Sequence, residues 1–462
     1  MAEEGDWLAA SGGERFGILA DNGVGWAITD LALHTRGRVC VPLPAYFTET
    51  QLLHALDDAG VDSLLLENLA GAREMLVGWR IAAVSGRTGL ALLRRRLGFD
   101  RIPELPPGTA KVTYTSGSTG APKGVCLAAR QLEAVAGSLA AATAGLDPQR
   151  HLCLLPLPTL LENIAGIYAP LIAGACCLLP PASATGMSYA GVDPQRMLAS
   201  ISSSRPESLV LVPELLQLLV TAAESGWSVP GSLKFVAVGG ACISPDLLRR
   251  AQQVRLPVYE GYGLSECASV VSLNRPGAHR LGSVGRALPH ARVRMGQDGE
   301  LLVSGVTMLG YVGAPLRVPN AELATGDLGE IDEDGYVYVR GRRRNVFISS
   351  YGRNVEPEWV ERELTRHREI RHALVYGEGR PHAVALLCPG SGGESSAAIE
   401  RAVALANASL PEYARVRRWA GIPGGLSFEN GLLTANGRLR RAAILERHAA
   451  LIDSLYREQI AC

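Results

Sequence analysis

Lysine is almost missing from this chain. Of 45 basic residues only Lys111, Lys123 and Lys234 are lysine, so a lysine inside a motif is informative and an arginine is not. An excess of charge of either sign is also lacking. The 45 basic residues face 45 acidic ones, which removes any whole-chain electrostatic case for nucleic acid or an anionic membrane. The nine cysteines, at 40, 126, 153, 176, 177, 242, 267, 388 and 462, are odd in number and show no repeated Cys-x-x-Cys spacing. That pattern excludes a disulfide framework and a zinc site, and it reads as small apolar residues in a reducing, cytoplasmic setting. The opening Met-Ala-Glu-Glu-Gly-Asp offers neither a basic nor an apolar leader pattern, so no signal peptide is expected. The longest uncharged run, Ile164–Pro181, approaches membrane length, yet it carries Pro170, Gly174 and a terminal Pro-Pro. A buried core segment is expected there, not a membrane span.

What is present is a long apolar chain. With 462 residues, 47% apolar and 19% charged, it can build two or three folding units with large cores. Apolar runs at Val39–Leu43, Ser63–Leu66, Cys153–Leu155, Cys176–Leu179, Leu209–Val212, Phe235–Val238 and Pro257–Tyr259 read as strands. Gln51–Ala59 reads as a helix, with Leu52, Leu53, Leu56 and Ala59 on one face. Strands of this kind alternating with helices predict an α/β domain whose mostly parallel sheets are flanked by helices. After about residue 280 the pattern changes to short strands, Val293–Met295, Glu300–Ser304 and Tyr336–Val339, with Gly-containing turns at 297–299 and 332–335. The basic run 341–345 follows, and an α+β stretch of roughly a hundred residues comes after it. The expected organisation is an N-terminal domain over 1–342, its β-rich part at about 280–342, and a small mobile C-terminal domain over 343–462.

The strongest chemical signal is Val112-Thr113-Tyr114-Thr115-Ser116-Gly117-Ser118-Thr119-Gly120-Ala121-Pro122-Lys123-Gly124-Val125. Gripping a phosphate takes small residues that let backbone N–H groups approach, hydroxyls that donate, and a cation. All three occur here behind a strand-like start, and one of the three lysines closes the string. The spacing is not that of a Walker A loop.

This string resembles the phosphate loop of the adenylate-forming (AMP-binding) superfamily: acyl-CoA synthetases, peptide-synthetase adenylation domains and luciferases. The likeness continues in order through Val238-Gly239-Gly240-Ala241, Tyr259-Glu260-Gly261-Tyr262-Gly263-Leu264-Ser265-Glu266, Thr325-Gly326-Asp327 and Gly341-Arg342. The resemblance implies nucleotide binding by Thr115, Ser116, Gly117, Ser118, Thr119, Gly120, Lys123, Gly240, Ala241, Tyr262, Gly263, Ser265, Asp327 and Arg342. Tyr262 would face adenine, Glu266 would offer a hard oxygen to the Mg2+ that accompanies ATP, and Asp327 and Arg342 would meet the ribose. It also implies a hinge at Arg344, and a loop from Tyr351 to Glu358 that reaches the site in a second pose.

One position departs from the family. Its catalytic lysine lies in a Gly-Lys-x-x-Arg setting near the C-terminus, where this chain reads Gly437-Arg438-Leu439-Arg440-Arg441. Arg438 keeps the charge but brings a planar fork in place of a point charge. With Lys123 and Glu266 it completes the expected catalytic set. The implied activity is ATP-dependent activation of a carboxylic acid to acyl-AMP, then transfer to the thiol of coenzyme A. The alternatives are loading of the phosphopantetheine of a separate carrier protein, or a non-catalytic nucleotide-binding relative. Amino-acid-activating members carry an aspartate at the pocket wall, and the stretch Leu155–Asn163 has none, Leu157 falling about at that position. An unpaired buried ammonium is costly, so a fatty or other non-amino acid is expected. The stretch is similar to the Leu-Pro-Leu-x-His-x-x-Glu pattern of fatty acyl-CoA synthetases, with Thr159 in place of the histidine.

Overall fold

The computed structural model of the chain describes residues 1–45, 47–68, 76–96, 102–115, 122–188, 191–240, 243, 245–315, 317–318, 321–348, 354–390, 395–410, 412–434 and 437–457. Ser116, Gly117, Ser118, Thr119, Gly120, Ala241 and the Tyr351-Gly352-Arg353 segment lie outside the described residues.

Two large mixed sheets form the N-terminal part. The first runs in the order 310–311, 123–128, 109–115, 39–42, 15–19, 63–66, 91–95 and 79–84. Arg15–Leu19 pairs in parallel with Val39–Pro42 and with Ser63–Leu66, while the outer pairs are antiparallel. The second runs 286–287, 269–273, 258–264, 235–238, 208–211, 150–152 and 176–178, parallel from its third strand, 258–264, outward. Ser63–Leu66 and Phe235–Val238 form where the apolar runs predict, because a strand covered on both faces reads as continuous hydrophobicity. The run expected at Cys153–Leu155 pairs instead at Arg150–Leu152. Cys153 still donates to the Leu178 carbonyl at 3.0 Å, but the Leu155 N–H turns to the buried Glu162 carboxylate at 3.2 Å and the strand ends.

Local signals set the helices. Glu49–Asp58 starts in a reciprocal capping box between Thr48 and Gln51 and buries Leu52, Ala55 and Leu56, a start worth about 1 kcal/mol. Residues from both sheets and from the helix Ala129–Thr143 share one core, including Phe16, Val125, Leu132, Val135, Phe235 and Val271. Lys111 lies inside it, 1% exposed. Its ammonium donates to Asp30 at 2.7 and 3.0 Å and to Asn163, whose amide donates to Asp30 at 2.9 Å. Burial drives the Asp30 carboxyl up, Lys111, Asn163 and Cys40 drive it down, and the balance is downward. This ion pair ties the π-helical turn Asn163–Tyr168 to the sheet.

The uncharged run Ile164–Pro181 is divided among that turn, the helix Ala169–Ile172 and the strand Cys176–Leu178. Among the described residues no helix is long and apolar enough to cross a membrane.

Four antiparallel strands, 291–295, 300–305, 323–331 and 337–342, build the β-rich part. Beyond the short turn Arg343–Asn345, a three-stranded sheet of Ile370–Tyr376, Ala383–Pro389 and Val416–Gly421 carries helices on both faces. Side chains along a strand alternate faces. Ala373 and Val375 therefore pack under the helices Pro357–Thr365 and Ser396–Ser409, and Leu374 packs with Ile444 and Ile452 of the last two helices.

Candidate active site

The hairpin of the first sheet brings Thr115 and Lys123 opposite each other. The short strand Gly310–Tyr311 pairs onto Lys123–Ala128 and sets the Tyr311 ring 5.9 Å from the Lys123 ammonium. The Tyr311 hydroxyl donates to Glu266 Oε1 at 2.9 Å. Glu266 sits in the turn Ser265–Cys267, and its backbone carbonyl accepts the Met308 N–H at 2.6 Å. Burial, then the Glu266 carboxylate, raises the Tyr311 phenol, so it stays a donor and orients Glu266. The turn can sit this close because of Gly263. A Cβ there would lie 1.7 Å from the Ser269 carbonyl oxygen, at a β-bulge between Tyr262 and Gly263.

Asp327 lies on the strand Leu323–Ile331 and is 3% exposed. Its cross-strand neighbour Arg342 places Nε 2.7 Å from Oδ1, and the Tyr262 hydroxyl donates to Oδ2 at 2.6 Å. Asp327 N–H donates to Thr325 Oγ1 at 3.0 Å, and Gly326 N–H to Glu300 at 2.7 Å, which holds the Thr-Gly-Asp turn. Burial raises the Asp327 carboxyl; Arg342, Tyr262 and Arg438 oppose it, and Glu266 pushes further up. Burial prevails despite the ion pair.

Arg438 comes from the other end of the chain. Leu433 and Leu439 form an antiparallel bridge, and Arg438 N–H donates to Thr434 Oγ1 at 3.0 Å, so the tip of this small hairpin carries the guanidinium. Its Nη2 stands 3.5 Å from the point a Cβ on Gly240 would occupy, and Gly240 adopts φ of +94°. Thr115, Lys123, Gly240, Tyr262, Gly263, Ser265, Glu266, Asp327, Arg342 and Arg438 all line one cleft of about 2910 Å³. The Arg344 backbone lies in the turn Arg343–Asn345.

Further along the cleft, Thr159, Leu161 and Ala165 face Val210 and Ala237 of the second sheet. The Thr159 hydroxyl is buried without a partner among the described residues. Leu157 is not on this wall. It is fully buried in the core, and its N–H donates to Asn22 Oδ1 at 2.8 Å, so Thr159 and Leu161 supply the surface instead. His151, Cys153 and Glu162 cluster beneath it. His151 meets Ser208 at 2.9 Å and Glu162 at 3.4 Å, and Cys153 donates to the Gly166 carbonyl at 3.3 Å. These bonds account for the group as a satisfied polar core.

Sequence reasoning did not single out Tyr311. It stands 45 positions from its partner Glu266, and nothing in the Leu-Gly-Tyr stretch distinguishes it from a packing tyrosine.

A family profile described as AMP-binding enzyme matches residues 7–312, and one described as AMP-binding enzyme C-terminal domain matches residues 344–460. A long-chain-fatty-acid–CoA ligase, FadD15, of Mycobacterium bovis is 25% identical over 555 residues, covering 98% of this chain and 89% of that protein. Two solved structures share the fold. The anthranilate CoA ligase AuaEII in complex with anthranoyl-AMP superposes with a TM-score of 0.79 at 20% identity, over 98% of this chain and 91% of that one. The O-succinylbenzoate coenzyme A synthetase of Bacillus subtilis, in complex with ATP and magnesium, gives 0.74 at 22% identity, over 96% and 92%.

Proposed function

This chain belongs to the family of AMP-binding enzymes, and from that premise we propose that it is an AMP-forming acid–thiol ligase whose reactions run in the cleft described above. In the first reaction a carboxylate oxygen attacks the α-phosphorus of ATP and the bond to pyrophosphate breaks, leaving acyl-AMP. In the second, the sulfur of coenzyme A attacks the acyl carbon and AMP leaves with the electron pair. The observation that carries this reading is convergence: Lys123, Glu266, Asp327 and Arg438, drawn from four distant segments, line one cleft.

Each residue has a task. Lys123 and Arg438 supply positive charge where negative charge builds on the phosphates. Asp327, held by Tyr262 and Arg342, accepts from ribose hydroxyls. The chemistry of the donor set fits Mg2+, since Glu266 presents a hard carboxylate pinned at one oxygen by Tyr311. When bound, the ion offsets the polyphosphate charge. The apolar surface of Leu161, Ala165, Val210 and Ala237 suits a fatty or other non-amino acid, in keeping with the long-chain-fatty-acid specificity named for FadD15. We place the domain boundary and hinge at 343–344, after which the C-terminal domain turns to admit the thiol. Coenzyme A is the acceptor we assign.

The test is carboxylate-dependent exchange of labelled pyrophosphate into ATP over a panel of acids, followed by addition of coenzyme A and, separately, of a carrier protein. Exchange with an apolar acid and thioester formation with coenzyme A are expected, and Glu266→Ala and Lys123→Ala should each reduce exchange at least roughly tenfold. No exchange with any acid would sink the enzymatic reading; transfer to the carrier alone would replace the acceptor.

A further inference from the structure

Glu214 is a carboxylate that this chemistry leaves without a task. It sits in the first turn of the helix Pro213–Glu224, lines the cleft, and holds its Oε2 buried with no hydrogen-bond partner among the described residues. Resting against it is the tip of the hairpin that bears Arg438. Gly437 has φ of +70°, and a Cβ there would lie 2.8 Å from Glu214 Oε1. Burial raises the Glu214 carboxyl, and its own backbone N–H, then Arg438 and Arg371, both from the C-terminal part of the chain, oppose that rise and favour the charged form.

We propose that Glu214 is a positioning residue that seats the Arg438 hairpin in the acid-activating pose, a refinement that rests on the function proposed above. The φ of +70° at Gly437 favours glycine, and with no side chain there the hairpin tip comes directly against the carboxylate. Arg438 Nη2 then rests over Gly240, and its charge favours the ionised forms of both Glu214 and Asp327. Once the C-terminal part turns away, both arginines leave and Glu214 is left to water. The attraction therefore favours the first reaction's pose over the second's. The purely structural explanation is that an acid in the first turn complements the helix dipole; that would stabilise the helix in either pose.

Glu214→Gln keeps the shape and removes the charge. In the full-length enzyme, kcat for pyrophosphate exchange should fall about tenfold with KM for ATP little changed. Thioester formation from preformed acyl-AMP and coenzyme A should be unaffected or faster, and Glu214→Asp should recover part of the loss. Equal loss in both reactions, or lost thermal stability with exchange intact, overturns the proposal. Amide hydrogen exchange of residues 431–440 reads the seating without turnover. Faster exchange in Glu214→Gln supports the proposal and unchanged exchange refutes it, even for a chain whose wild type activates no acid.

Discussion

Arg438→Ala removes one full positive charge from the cleft and disturbs no core packing, because the side chain is exposed on a hairpin tip. Its worth can be bounded. Two unit charges about 4 Å apart at an effective dielectric of about 20 attract by ~4 kcal/mol. Solvent screening of an exposed group lowers that figure. Part of the remainder already acts in the resting site, where the Arg438 charge favours the ionised forms of Asp327 and Glu214, and only the increment gained as the phosphates accumulate charge affects the rate. A net of ~3 kcal/mol, comparable to one oxyanion donor, corresponds to roughly a hundredfold loss in acyl-AMP formation. Single-turnover measurement of acyl-AMP, alongside thioester formation from preformed acyl-AMP, is the assay. The second reaction should fall by less than about threefold, since Arg438 has no part in it. Arg438→Lys should retain activity within about tenfold, because the charge persists while the fork is lost. Equal damage to both reactions, or an alanine variant that activates acid at the wild-type rate, would refute the role given to this residue.

Two further predictions concern groups beside the chemistry. Lys111→Met strands the fully buried Asp30 carboxylate and should cost ~3–5 kcal/mol, read as a lower denaturant midpoint of the N-terminal unfolding transition; a double change that also makes Asp30 apolar should recover most of it. Glu260 is buried with Oε2 unpartnered, and burial, only partly opposed by Arg362, raises its carboxyl to about 8. A carboxyl whose folded-state pKa is raised stabilises most below its unfolded value and loses that contribution as pH rises through the folded one. Glu260→Gln should therefore gain thermal stability relative to wild type as pH climbs from about 5 to about 9, and a constant difference across that range would contradict the assignment.

How much of this was legible beforehand differs by residue. Ser63–Leu66 and Phe235–Val238 were readable because burial on both faces writes itself as an apolar run. The turns at Gly299 and Gly335 were readable because φ of +76° and +82° favours glycine. The ordered motifs around Lys123, Tyr262, Glu266, Asp327 and Arg342 named the nucleotide chemistry, and the arginine at 438 stood out against them. Scarcity of lysine did not separate Lys111 from Lys123. One is sealed in an ion pair with Asp30 and the other borders the cleft, and residue type carries no record of which way a side chain points. The tertiary structure alone decided that Leu157 faces the core, that Tyr311 holds Glu266, and that Glu214 lies under a hairpin more than two hundred positions away. The physical reason is that contacts of this kind depend on how sheets and domains dock, and local pattern encodes which face of an element is apolar but not what will be pressed against it.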